Sequence, residues 1–236
     1  MCGRFGLTRP DRLKLERFGV TGFPELIPRY NIAPGAEVLI VRERTGGREA
    51  TLVKWGLVPW WADDASMGSR MANARADTAF VKPAFRDPMR LRRCLIPVDV
   101  FYEWQAIPRQ KAKQPFAVAL KGGEPFALGG IWDSWKPKGA DGSRTVTTFA
   151  VLTTDPNSLL APIHDRMPVI VAAGRYAPWL DARTPEPGLR EIVQPFPSDE
   201  MEAWPISTRV NKADADDASL LEPCAGPAAA EELELF

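Results

Sequence analysis

The chain begins Met1-Cys2-Gly3-Arg4. Loss of an initiator methionine ahead of so small a side chain would leave Cys2 with a free α-amine and a thiol on adjacent carbons. The amine titrates near ~7.7–8.0 and the thiol near ~8.5, so both are partly nucleophilic at neutral pH. A 1,2-aminothiol has a particular partner, the aldehyde: the amine forms a Schiff base, and the thiol closes onto the imine carbon as a five-membered thiazolidine. An N-terminal cysteine also serves as the nucleophile of self-processing amidohydrolases, and it can be incidental. Taken alone, Cys2 leaves all three readings open.

Other stretches downstream carry chemistry. Glu103 lies in Phe101-Tyr102-Glu103-Trp104, an aromatic, strand-like setting. A carboxylate desolvated there would have a raised pKa and could donate a proton near neutrality; the plainer reading is a solvent-facing glutamate on an edge strand. His164, the one histidine of the chain, stands beside Asp165 and Arg166 ahead of an apolar run, and a lone histidine is more often structural. Asn73 and Arg75 are two residues apart in Met71–Asp77, hence on one side of an extended segment. Asn31 and Pro34 belong to the turn-forming Tyr30–Gly35. Trp60 and Trp61 are adjacent after Pro59, where a loop should begin, and stacking on bases suits them, with core packing the alternative for one of the two.

Charge is unevenly spread along the 236 residues, although the formal net charge is zero. Residues 199–236 hold ten acidic and two basic side chains, net −8, so the first 198 residues are net +8. The basic residues are mostly arginine, the type suited to bidentate phosphate contacts. Cysteines at 2, 94 and 224 are odd in number and widely spaced, giving neither a disulfide framework nor a zinc spacing and fitting a reducing compartment. No apolar run approaches the ~20 residues of a membrane span. A soluble, cytoplasmic protein without metal or cofactor is expected.

The elements that must position these residues read as strands. Glu37–Arg44, a Thr-Gly-Gly turn and 49–58 form a β-hairpin pattern, and 94–104, 115–120, 125–132, 145–154 and 167–173 are further β-rich runs. Short helices are expected around 11–19, 75–85, 156–161, 176–182 and 187–193, and 23 prolines interrupt anything longer. Segments 109–114 and 136–144 read as exposed hairpin loops. No βαβ alternation occurs, so the expected fold is α+β, one domain with a mostly antiparallel, barrel-like sheet core. Its expected limits are residues 1–211, followed by a partly disordered acidic tail, 212–236.

The blocks MCGR, NIAP, WGLVPWW, NARAD, RRCLIPVDVFYEW, GGIW, FAVLTT and IHDRMPVI, in this order from residue 2 to about 211, resemble the SRAP (SOS response-associated peptidase) family. The resemblance implies a protein that bonds covalently, through its N-terminal cysteine, to abasic sites in single-stranded DNA as a thiazolidine crosslink that shields the lesion. It is expected to act as a monomer, with lyase or crosslink-reversal activity alongside and nucleoid association when bound. By motif, Cys2 supplies both nucleophiles and Asn73 positions the opened sugar or the amine. Glu103 shuttles protons, and His164 assists Schiff-base chemistry and reversal. The resemblance further implies that Arg4, Arg75 and Arg166 grip phosphates, with Asn31, Pro34, Trp60 and Trp61 also on the DNA. The family often has Glu where this chain has Asp77, and Gly where it has Val100. Two other readings stand beside this one: a cysteine peptidase limited to removal of Met1, and a non-covalent single-strand binder.

Overall fold

A computed structural model describes residues 2–137 and 144–226. Among these residues the strands are β1 (Arg4–Leu7), β2 (Arg29–Ile32), β3 (Glu37–Arg44), β4 (Gly47–Trp55), β5 (Asn73–Arg75), β6 (Arg93–Val98), β7 (Val100–Ala106), β8 (Lys113–Leu120), β9 (Phe126–Trp135), β10 (Val146–Thr154), β11 (Met167–Pro168), β12 (Ile170–Val171) and β13 (Met201–Pro205). The helices are short: α1 (Leu15–Phe18), α2 (Ala76–Ala79), α3 (Arg86–Leu91), α4 (Tyr176–Leu180) and α5 (Glu186–Ile192). None is long and apolar enough to cross a membrane.

Two sheets organise the molecule. In one, the order is β13-β8-β7-β1-β2; in the other, β10, β4, β3, β6 and β9 follow one another and β9 pairs back with β10, closing a five-stranded barrel. The α+β class and barrel-like core are as the sequence indicates. Two pairings break the antiparallel rule, β10 running parallel to both β4 and β5. Strand alternation splits the apolar residues between two layers. Ile40, Ile96, Leu128, Phe149 and Val151 pack with Cys2, Phe5, Phe101 and Val118 of the first sheet. Val41, Leu95, Ile131, Ala150 and Leu152 pack instead under the helices, against Phe18, Met89, Trp179 and Leu189.

The predicted hairpin is β3–β4, in register from Glu37–Lys54 to Arg44–Gly47. Helices form near four of the five expected places. The fifth, 156–161, is a run of turns, because Asn157 follows a proline and its side chain captures the Leu160 N–H at 3.0 Å, the competition that makes asparagine a turn residue. Helix α3 went unpredicted because it contains Pro88, which the first turn of a helix tolerates. The loop at 109–114 is exposed and joins β7 to β8, while most of 136–144 lies outside the described residues. Val100 is paired with Gly6 across β1 and β7, its Cγ1 occupying space that a Cβ on residue 6 would need.

Within the acidic tail expected after residue 211, residues 212–226 are described and packed. Leu220 is fully buried, Asp216 pairs with Arg29 at 2.8 Å, and its carboxylate accepts from the Tyr30 and Asn31 N–H groups. The acidic composition therefore fastens this segment to β2 instead of solvating it. Residues 227–236 lie outside the described residues.

Behind the site, Gly56 and Gly68 approach backbone to backbone. Gly56 has φ +123°, and a Cβ there would stand 2.7 Å from the Gly68 carbonyl oxygen. Gly56→Ala thus combines a left-handed backbone with a clash that only main-chain movement relieves. It is expected to lower unfolding stability by ~3 kcal/mol, measured by urea denaturation against the parent chain.

Candidate active site

Strand β1 carries Cys2 to the centre of the molecule. Its antiparallel register with β7 pairs Arg4 with Tyr102 and Phe5 with Phe101, and continued by one residue it sets Gly3 opposite Glu103. The turn beyond β1 is tied down by the buried Asp99, which accepts from the Thr8 and Arg9 N–H groups at 2.7–2.9 Å. Glu103 lies on the same face of β7 as Phe101, the face that packs against Cys2. It is only 1% exposed. Burial raises its pKa to about 7, so the neutral acid and the carboxylate coexist near neutrality. The Cys2 thiol is buried as well. Desolvation, and secondarily the negative charge of Glu103, pushes its pKa well above the usual thiol range.

His164 follows the turn run 158–163, which Gln105 ties to β7 by donating to the Pro162 carbonyl at 3.0 Å. Its Nε2 is 3.9 Å from Glu103 Oε2, beyond direct hydrogen-bond length. At Nδ1 two contacts compete: the Arg166 N–H at 3.0 Å and Asp165 Oδ1 at 2.8 Å. The first needs an unprotonated Nδ1 and the second a protonated one. Burial, the largest influence, lowers the His164 pKa, which favours the neutral ring. In the neutral tautomer that accepts from the Arg166 N–H, the proton sits on Nε2, the nitrogen facing Glu103.

Asn73 reaches the same core layer through the parallel β5–β10 pairing, where it is the partner of Val151, which belongs with Cys2 to one apolar cluster. Its Oδ1 is buried and makes no hydrogen bond. Thr153, two residues beyond Val151 and so on the same face, is fully buried, and its Oγ1 likewise makes none. A native structure leaves few such groups unsatisfied, and here two lie on one face of the paired β5 and β10. Sequence reasoning missed Thr153, since a threonine in a strand is ordinary. Only the strand pairing distinguishes it.

The expected DNA-contacting residues divide into two sets. Trp60 and Trp61 stand at the surface, 61% and 36% exposed; Pro34 is exposed, and so is Arg75, which pairs with Asp77 at 2.8 Å. This surface pair with Asp77 raises the Arg75 pKa. The other set is engaged inside the chain. Asn31 is 3% exposed, and its Nδ2 donates to the Val210, Lys212 and Ala215 carbonyls, so it clamps the C-terminal segment. Its Oδ1 accepts from Arg4 Nη1 at 2.7 Å, and that nitrogen also donates to the Val210 carbonyl at 3.0 Å. Arg166 is buried, with Nη1 on Asp155 and Nη2 on the Thr153 carbonyl, each at 2.7 Å.

The profile of the SOS response associated peptidase (SRAP) family matches residues 1–213. Abasic site processing protein YoqW of Bacillus subtilis is 37% identical over 94% of this chain and 99% of its own length. Abasic site processing protein YedK of Escherichia coli is 29% identical over 94% and 100%, and abasic site processing protein HMCES of Gallus gallus is 28% identical over 83% and 66%. A crystal structure of a protein from Bacteroides thetaiotaomicron superposes with a TM-score of 0.81 over 95% of this chain and 100% of that one, at 24% identity. The chain belongs to the SRAP family.

Proposed function

We propose that this protein recognises abasic sites in single-stranded DNA and bonds to them through Cys2, shielding the lesion. The observation that carries this reading is the β1–β7 register, which brings the start of the chain alongside a buried acid of pKa about 7. The naming of its relatives as abasic site processing proteins supports the target.

After Met1 is removed, the α-amine of Cys2 attacks C1′ of the ring-opened sugar. Glu103, in its neutral form, protonates the departing hydroxyl of the carbinolamine, and water leaves as the imine forms. The thiol then adds to the imine carbon, its proton passing to the nitrogen, and the thiazolidine is closed with one water released overall. Amine first and thiol second is the order favoured by electrostatics. A buried thiol beside a carboxylate resists ionisation, whereas a peptidase nucleophile needs a ready thiolate; the same contrast weighs against the peptidase reading. His164 and Asn73 would orient the sugar and the amine, and Arg75 with the two tryptophans would hold the flanking strand.

The test is incubation of the mature protein with single-stranded DNA bearing one abasic site. A one-to-one adduct surviving heat and detergent, seen in intact mass, is expected; its absence with fully processed protein overturns the proposal. Thr153 offers a subtler check. Thr153→Val removes a buried hydroxyl that bonds to nothing, so stability is expected to hold or rise by up to ~1 kcal/mol, while adduct formation slows about tenfold. Denaturation and single-turnover kinetics on the same preparation measure both.

A further inference from the structure

We infer that the cleft beside the tryptophan loop is a second DNA subsite, which takes up the base of a nucleotide next to the lesion; the inference rests on the function proposed above. The cleft has a volume of about 480 Å³, within the ~300–1,000 Å³ typical of sites for small organic groups. Val58, Trp135 and Val146 line it, with Ser66, Ser69 and the exposed Lys54. No carboxylate lines it. Each of four other clefts on the described surface has at least one, from Glu25, Glu191, Glu186 or Asp11. One cation, two exposed serines and apolar side chains suit a neutral, hydrogen-bonding heterocycle joined to a phosphodiester.

The frame of the cleft also holds the aromatic loop. Thr148 Oγ1 accepts from the Val58 N–H at 2.7 Å, Asp133 Oδ2 accepts from the Trp60 N–H at 3.1 Å, and Trp135 Nε1 donates to the Ala62 carbonyl at 2.8 Å. Thr148 is the strand partner of both Asp133 and Lys54. One stretch of barrel wall therefore fixes the exposed Trp60 and the cleft together, so a strand lying on the tryptophans passes the mouth of the cleft, where Pro34 also stands. An abasic site has lost its own base, and turning a neighbour out of a single strand costs little stacking.

The experiment uses single-stranded oligonucleotides with an unreactive tetrahydrofuran abasic analogue and 2-aminopurine placed in turn at each flanking position. One position is expected to change its fluorescence on binding. Ser69→Phe, an exposed substitution that fills the cleft, is expected to abolish that change and weaken binding about tenfold, the loss typical of one stacked base. Adduct yield on true abasic DNA at saturation stays unchanged. If Ser69→Phe alters the melting of the protein, Lys54→Ala carries the test with an expected threefold loss of affinity at low salt, and unchanged affinity overturns the inference. Binding and adduct formation without a responsive position, or a response that survives Ser69→Phe, overturn the inference and leave the function standing. Failure of the unaltered protein both to bind and to form an adduct overturns the two together.

Discussion

Cys2→Ser is expected to abolish the heat-stable adduct completely while leaving a bond to abasic DNA that borohydride can trap. The variant keeps the α-amine once Met1 is removed, so the imine still forms. What it lacks is the sulfur that closes the ring, and an imine left open hydrolyses or eliminates the 3′ phosphate. Strand cleavage at the abasic site is therefore expected to rise as the stable adduct disappears. Cys2→Ala should behave in the same way. Either change removes only one heavy atom or exchanges it within a fully buried position, and the resulting loss of stability, ~1 kcal/mol, leaves the fold intact. A second arm separates amine from thiol. Protein in which Met1 is retained carries the thiol but not the free α-amine of Cys2, and it is expected to form neither the trapped nor the stable product. Intact mass, denaturing gels and borohydride trapping measure all of these. A heat-stable adduct with Cys2→Ser would overturn the role of the sulfur, and full activity of the Met1-retaining chain would overturn that of the amine.

The sequence made the reacting groups legible better than it made their meeting place. Cys2 and Glu103 carry their chemistry in residue type and neighbours, and alternation within β3, β4 and β10 marked them as strands. Other features depend on pairings between distant segments. Asn73 comes beside Val151 because β5 runs parallel to β10, and no local pattern encodes that choice of partner. Thr153 becomes notable only once its hydroxyl is seen buried and unbonded. Charge counting does not show that Asp216 of the C-terminal segment pairs with Arg29 and accepts from a backbone N–H group. Nor does it show that Arg4 and Arg166 also hold the chain itself. A basic body thus remains a fair reading of the sequence, but part of that basicity is internal bracing.

Glu103→Gln is expected to move activity and stability in opposite directions. Glu103 is raised from its ordinary range to about 7, chiefly by burial. In the unfolded chain it would titrate near ~4.3, so between these values the folded protein holds a proton that the unfolded chain has lost. Its contribution is fully favourable below the unfolded pKa and is lost as pH rises through about 7, where the folded protein must bear a buried carboxylate. At pH 8 that burden is on the order of 3 kcal/mol. Glutamine never ionises, so the variant is expected to be the more stable form at pH 8 by up to that amount, with the gap closing toward pH 5. Adduct formation behaves otherwise. Dehydration of the carbinolamine needs the proton of the neutral acid, so the parent rate should fall as pH rises through about 7. Glu103→Gln, lacking a donor of that strength, should be slower by about a hundredfold and lose this limb of the profile, with DNA affinity nearly unchanged. Denaturation at pH 5 and 8 beside single-turnover rates over the same range tests both halves. A variant less stable at pH 8 would make Glu103 a structural residue, and an unaltered rate profile would remove it from the chemistry. The expected outcome has a physical source: a buried acid kept near pKa 7 is a standing cost to the fold, and the proton it holds is the one the imine step consumes.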